Sequence, residues 1–210
     1  MWVSRLFARE RLLRRDVSGA VAVEFGLLCS VLIAILFGMM EFGAAYWQWN
    51  QATKALQLGV RLAAVSDPVS SDLATFTGVS TTIEEGDPMP YFQRICSGKD
   101  STCLEGGTYS LNAMRTIVYG RGNLTCPTTP QRYPAMCQIF PRIAPQNVIV
   151  QYTQTGLGFA GRPGGPLPSI TIRLTGIEFN FVVLNSLLGL PKISMSGLSA
   201  TATAEDLRGS

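Results

Sequence analysis

The chain has no histidine, and only 15% of its 210 residues are charged. Without an imidazole the commonest general base near neutral pH is missing, and with it most nucleophilic triads and the histidine-bearing zinc sites. There is no G-x-S-x-G elbow, no G-x-x-x-x-G-K-[ST] loop and no C-x-x-C pair. These absences predict a protein that is not an enzyme and that binds neither cofactor nor metal. Proline is missing before Pro68, although the chain holds 12 prolines in all. A continuous helix from near Ser18 to about Ser66 is therefore permitted. A surplus of charge is missing too, outside one short stretch. Arg5, Arg9, Arg11, Arg14 and Arg15 face only Glu10 and Asp16 before Gly19; taking these from the totals of 17 basic and 14 acidic residues leaves 12 of each. A neutral remainder gives a nucleic-acid partner no electrostatic support.

What is present is one long apolar run. Residues 20–40 carry only Glu24 and Ser30 as hydrogen-bonding polar residues, and at 1.5 Å per residue they cover about 31 Å, close to the hydrocarbon thickness of a bilayer. No second run of that length follows, so a single crossing is predicted. The arginines precede the run and only Lys54 follows within 20 residues, which places the N-terminus in the cytoplasm and the C-terminal part outside. A cleaved signal peptide fits poorly, because its apolar core is usually about 7 to 15 residues and ends in an A-x-A-like site. Glu24 stands out inside the run. A carboxylate there costs about 2.5 to 3.5 kcal/mol on insertion scales, so its presence is a functional hypothesis by default.

Two further patterns belong to the helix. Ser18, Ala22, Gly26, Ser30, Ala34 and Gly38 recur every fourth residue, a ridge of small side chains on which another helix can approach closely. Beyond the apolar run, Trp47, Gln51, Lys54, Leu58, Arg61, Leu62 and Val65 form polar and apolar stripes at helical spacing, which predicts packing against protein.

After Asp67-Pro68 the texture turns to serine, threonine, glycine and short apolar segments. Residues 147–154, 169–175, 178–183 and 194–204 read as strands, 111–119 as helix or strand, and the Gly- and Pro-rich 156–168 as a loop. Cys29 lies in the apolar run, whereas Cys96, Cys103, Cys126 and Cys137 form an even set in the exported part. Two disulfides are expected in an oxidising compartment. Four cysteines allow three connectivities, and short separations lean toward Cys96 with Cys103 and Cys126 with Cys137 without excluding the others. Glu84, Glu85 and Asp87 beside Pro88 and Pro90 read as a solvated turn. Asp67-Pro-Val-Ser-Ser lacks the spacing of a D-x-S-x-S metal motif, which disfavours metal-dependent adhesion.

Residues 18–64 resemble the TadE-like family of tight-adherence (Tad) pilus assembly, whose members open with a basic leader, a glycine and an A-V-E-F segment before a long apolar helix. Gly19, Ala20, Val21, Ala22, Val23, Glu24 and Phe25 fit the family's processing motif. Glu41-Phe42-Gly43, Asn50-Gln51 and residues 59–64 resemble its continuation. The resemblance implies that a membrane-embedded prepilin peptidase cuts after Gly19, making Ala20 the new amino terminus and Glu24 the fifth mature residue. Glu24 would then pair with an Ala20 α-ammonium, its own or a neighbour's, offsetting the desolvation of both charges. The chain departs from the short Flp-type major pilins in having Glu24-Phe25 in place of Glu-Tyr and a large C-terminal part, and it is more similar to a minor pseudopilin.

The expectation is an α+β protein: a cytoplasmic basic leader (1–19), a long helix (20–66) transmembrane in its first half, and a periplasmic domain (67–210) with an antiparallel sheet. It would be anchored in the bacterial inner membrane as a minor pseudopilin-like component of Tad pilus assembly. Its partners would be the prepilin peptidase, other Tad membrane proteins and pseudopilins, and the membrane itself. The alternative is an uncleaved bitopic anchor carrying a periplasmic binding or adhesion domain.

Overall fold

A computed structural model describes residues 17–129, 131, 133–204 and 207 of the protein. The arginine-rich stretch 1–16 lies outside the described residues. The first element is the helix α1, Val17–Ala64, 48 residues without a break and about 72 Å long at 1.5 Å per residue. It stops where the sequence says it should. Pro68 disfavours helical geometry at Asp67, and Arg61 in the last turn complements the exposed carbonyls there.

The chain forms two compact units. One comprises the described residues up to Ala44 with Asn180–Pro191, and the other comprises Ala45–Phe179 with Lys192–Ser210. In the second unit, the strand β1 (Gln93–Ser97) turns back into β2 (Thr102–Leu104). Helix α2 (Leu111–Tyr119) and the one-turn helix α3 (Met136–Ile139) follow, then strands β3 (Val148–Thr153) and β4 (Ser169–Leu174). The short strand β5 (Glu178–Phe179) leads to helix α4 (Val183–Leu188) of the first unit, and β6 (Ile193–Ser194) and β7 (Ser199–Thr203) end the order. Five strands make one antiparallel sheet in the order β2-β1-β3-β4-β7, and β5 pairs separately with β6. The α+β reading therefore holds.

Alternation builds this sheet. Val148, Val150 and Tyr152 of β3 and Ile170, Ile172 and Leu174 of β4 point to the buried side, and the register sets Val150 opposite Ile172 and Tyr152 opposite Ile170, so these apolar pairs lie on one face. Tyr152 is fully buried, and its hydroxyl accepts a hydrogen bond from the Val69 N–H at 3.0 Å. Helix α2 starts on Ser110, whose hydroxyl accepts from the Ala113 N–H, and ends at Gly120, whose φ of 86° suits a residue without Cβ.

The C-terminal half of α1 also enters this core, as its stripes predict, with Leu58 and Leu62 half-buried at the edge of the packed face. Ala52, Ala55, Leu56, Val60, Ala63 and Ala64 are buried, whereas Trp47 and Val65 are exposed. Packing favours the side where small residues let the backbone come near. A Cβ at Gly59 would overlap the thioether of buried Met136, so the glycine marks the closest approach.

Three expectations need correcting. Residues 178–183 were expected to form one strand; only Glu178–Phe179 is strand, and the chain then turns into α4. Residues 194–204 divide at a turn in which Met195 and Leu198 are buried and the Leu198 N–H donates to the Met195 carbonyl. The β1–β2 hairpin was not expected at all, because its strands are too short to show an alternation. It carries Cys96 opposite Cys103, joined as a disulfide. A second disulfide links Cys126 to Cys137. Among the open connectivities, the local one is realised. Residues 111–119 are helix, and 156–168 contains no strand or helix.

Candidate functional site

Most of the residues singled out in the sequence lie on α1; Cys96 and Cys103 lie in β1 and β2, Cys137 in α3, and Cys126 in the loop between α2 and α3. Gly19 and Ala20 lie on α1 close to where the described residues begin. Among the described residues nothing lies within 4 Å of a Cβ built on Gly19. Glu24 is exposed and five positions on, one turn beyond Ala20, so Ala20 and Glu24 share a face at the i, i+4 spacing. Phe25 is exposed beside it.

Around this segment the helix is apolar on every side. Val21, Val23, Leu27, Leu28, Leu32 and Leu36 are all more than half exposed, a distribution suited to lipid rather than to water. Among the described residues, α1 is the one helix long and apolar enough to cross a membrane. Ser30 does not spoil the surface, because its hydroxyl donates to the Leu27 carbonyl at 2.8 Å. Ala22, Gly26 and Ser30 are exposed, Ala34 is half-buried and Gly38 is buried. Because four residues turn a helix by about 400°, this row winds along an inclined ridge rather than a straight face. Its last member already has a neighbour. A Cβ at Gly38 would lie 3.7 Å from Leu184 Cδ2.

That neighbour is held by a feature sequence reasoning did not assign. The Glu41 carboxylate accepts hydrogen bonds from the N–H groups of Val182 and Val183 at 2.7 Å and of Leu184 at 3.0 Å. These are the amides that a helix start leaves without acceptors, so Glu41 caps α4 and meets the positive end of its dipole. Phe42 adds a tilted ring contact with Phe181, centroids 5.2 Å apart. The signal available in the sequence was Glu41-Phe42 itself, a charge and an aromatic at the end of an apolar run.

The remaining candidates are structural. Cys29 is unpaired on α1, and the other four cysteines form the two bonds described above. In the acidic turn the Asp87 carboxylate accepts from the Glu84 N–H at 2.9 Å, and Glu84, Glu85 and Asp87 are exposed. Among the described residues no group of three histidine, cysteine, aspartate or glutamate side chains is placed to hold a metal. A shallow polar cleft is bordered by Ser66, Asp67, Ser110, Asn112, Thr116 and Arg121. A second, mostly apolar cleft lies against the Cys126–Cys137 bridge beside Pro127, Pro134 and Pro141.

Residues 19–61 match the family model described as TadE-like protein. The match begins at Gly19, takes in Glu24 and Glu41, and ends three residues before α1 does. No curated protein and no protein of solved structure matches the chain.

Proposed function

We propose that this protein is a minor pseudopilin-like component of Tad pilus assembly. In this reading α1 crosses the inner membrane once, the N-terminus is cytoplasmic, residues 67–210 lie in the periplasm, and a prepilin peptidase cuts after Gly19. The observation that carries the proposal is the coincidence of the TadE-like match with a single unbroken helix, apolar on every side through its first half.

The chemistry of the segment is consistent with processing. A protease needs an extended peptide. A glycine within the helix lowers the cost of unwinding by about 1 kcal/mol relative to alanine, and it leaves the backbone unshielded. Once Ala20 is the terminus, its α-ammonium stands one turn before Glu24 and supplies the counter-charge that an apolar surrounding demands. The ridge through Ala22, Gly26, Ser30 and Ala34 is then available to other pilus-assembly helices. The protein works by assembly and not by catalysis.

Intact-mass and N-terminal analysis of the protein taken from membranes of cells with their own prepilin peptidase tests the proposal. A chain beginning at Ala20 is expected. A chain that retains the residues before Ala20 would overturn the pseudopilin assignment and leave an uncleaved anchor carrying a binding or adhesion domain.

A further inference from the structure

The segment between β5 and β6 is the most apolar stretch of the chain after α1 itself. From Phe179 to Pro191 it reads FNFVVLNSLLGLP, without a charged residue, while Glu178 and Lys192 stand at its two ends and form an ion pair at 3.4 Å. The β5–β6 pairing sets Phe179 opposite Ile193, so the residues between them make a closed loop. Phe181 and Leu184 are buried in it, yet Val182, Leu187 and Leu188 are 72%, 62% and 66% exposed. Three large aliphatic side chains exposed within seven residues of one short loop are unfavourable in water unless something covers them.

The position of the loop on α1 says what does. It is held at Gly38 by Leu184, at Glu41 by three amides and at Phe42 by Phe181. Gly38 lies two residues inside the end of the apolar run, about 3 Å of helix rise. Tyr46, Trp47 and Trp49 are exposed in the turns that follow, and amphipathic rings of this kind mark a membrane–water interface. The loop is thus fixed to α1 where the exposed apolar surface of the helix ends, at the level expected for the headgroups.

We infer that Val182, Leu187 and Leu188 form a second membrane contact, inserted at the headgroup and acyl-chain boundary of the leaflet that receives the C-terminal end of the apolar run. The inference rests on the reading of α1 as a membrane span. The capping geometry explains how polar backbone is tolerated there. Bilayer interior leaves no water for free N–H groups, and the three amides at the start of α4 are given to Glu41, which at the same time shields its own charge. The loop turns a single helix into an anchor with two contacts, one deep and one shallow.

The test uses the full-length chain with Cys29→Ser, so that its only free thiol is an introduced one. Leu188→Cys and, separately, Leu32→Cys are labelled with a bimane fluorophore and reconstituted in phosphatidylethanolamine–phosphatidylglycerol vesicles. Lipids carrying a doxyl quencher at a shallow or a deep acyl carbon are then added. The Leu32 label is expected to lose most emission to the deep quencher and the Leu188 label to the shallow one. A Leu188 label that is unquenched while Leu32 is quenched overturns the inference and leaves the span standing. A Leu188 emission that is blue-shifted but unquenched also overturns it, because the loop is then covered by protein, either a second copy or a partner. If Leu32 is unquenched, the span itself is wrong and the inference falls with it. Val182→Cys, on the opposite end of the patch, repeats the measurement should Leu188→Cys not fold.

Discussion

The Glu41 carboxylate and the Val183 N–H are 2.7 Å apart although 142 positions separate them in the chain. This bond, with those to Val182 and Leu184, converts a segment with strand-like alternation into the start of a helix. A carboxylate offered to three successive amides rewards the conformation in which all three point the same way, and a helical first turn is that conformation.

Replacing Glu41 by alanine is expected to free these amides. Hydrogen exchange at Val182, Val183 and Leu184 should accelerate strongly, with little change in β3 and β4. Glu41→Gln keeps an acceptor but not the charge and should fall between. Unchanged exchange in Glu41→Ala would show that the cap does not hold the segment.

Gly59 and Gly43 should respond in opposite ways to alanine. Both sit in α1, where alanine is favoured over glycine by about 1 kcal/mol. At Gly43 nothing among the described residues lies within 4 Å of the added Cβ, so Gly43→Ala is expected to raise the unfolding temperature. At Gly59 the Cβ meets Met136, a fully buried side chain, and overpacking of about 1 to 3 kcal/mol outweighs the propensity gain. Thermal unfolding in detergent should show the lower Tm for Gly59→Ala.

Tyr152 makes the domain sensitive to alkali. Burial pushes its phenol well above the usual value of 10.0, and the hydrogen bond from Val69 lowers it only in part. The folded state therefore prefers the neutral phenol. That contribution is complete below about pH 10 and is lost as pH rises toward the folded-state value. Tyr152→Phe leaves the Val69 N–H without its acceptor and should cost about 1 to 3 kcal/mol at neutral pH. Above pH 10 the two proteins should converge, because only the parent has a phenol to ionise at this site. Denaturant unfolding at pH 7 and pH 11 measures both effects.

The processing motif yields two separable outcomes. Gly19→Leu is expected to block cleavage, since a bulky side chain shields the scissile peptide, and the mass of the membrane protein would then retain the leader. Glu24→Gln is expected to permit cleavage but to impair assembly, because the partner of the new α-ammonium is lost. Pili of normal number from the Glu24→Gln strain would remove that role.

Local features carried the expectations that survived. The reach of α1 follows from the absence of proline before Pro68 and the apolar content of residues 20–40, and β3 and β4 follow from alternations long enough to name a buried face. Gly19, Ala20, Glu24 and Phe25 were legible as a candidate motif because they fall within seven consecutive residues. The stripes on the second half of α1 predicted packing against protein but not which residues lie deepest, and Trp47 and Val65 are exposed. An apolar side chain at helical spacing says that a face is available, while the choice of face depends on what approaches, and here Ala52, Ala55, Gly59 and Ala63 admit the closest approach.

The sequence by itself determined where the chain becomes apolar enough for a membrane, where its long helix must stop, and that its net positive charge is confined to the residues before Gly19, since each depends on a sum over neighbours along the chain. Only the tertiary structure decided that Glu41 caps residues 182–184, that 183–188 coil rather than extend, and that Cys96 meets Cys103 across a hairpin. A hydrogen bond between distant residues has no local trace. It exists only after packing has brought donor and acceptor together, and it then overrides preferences of a few tenths of a kcal/mol per residue.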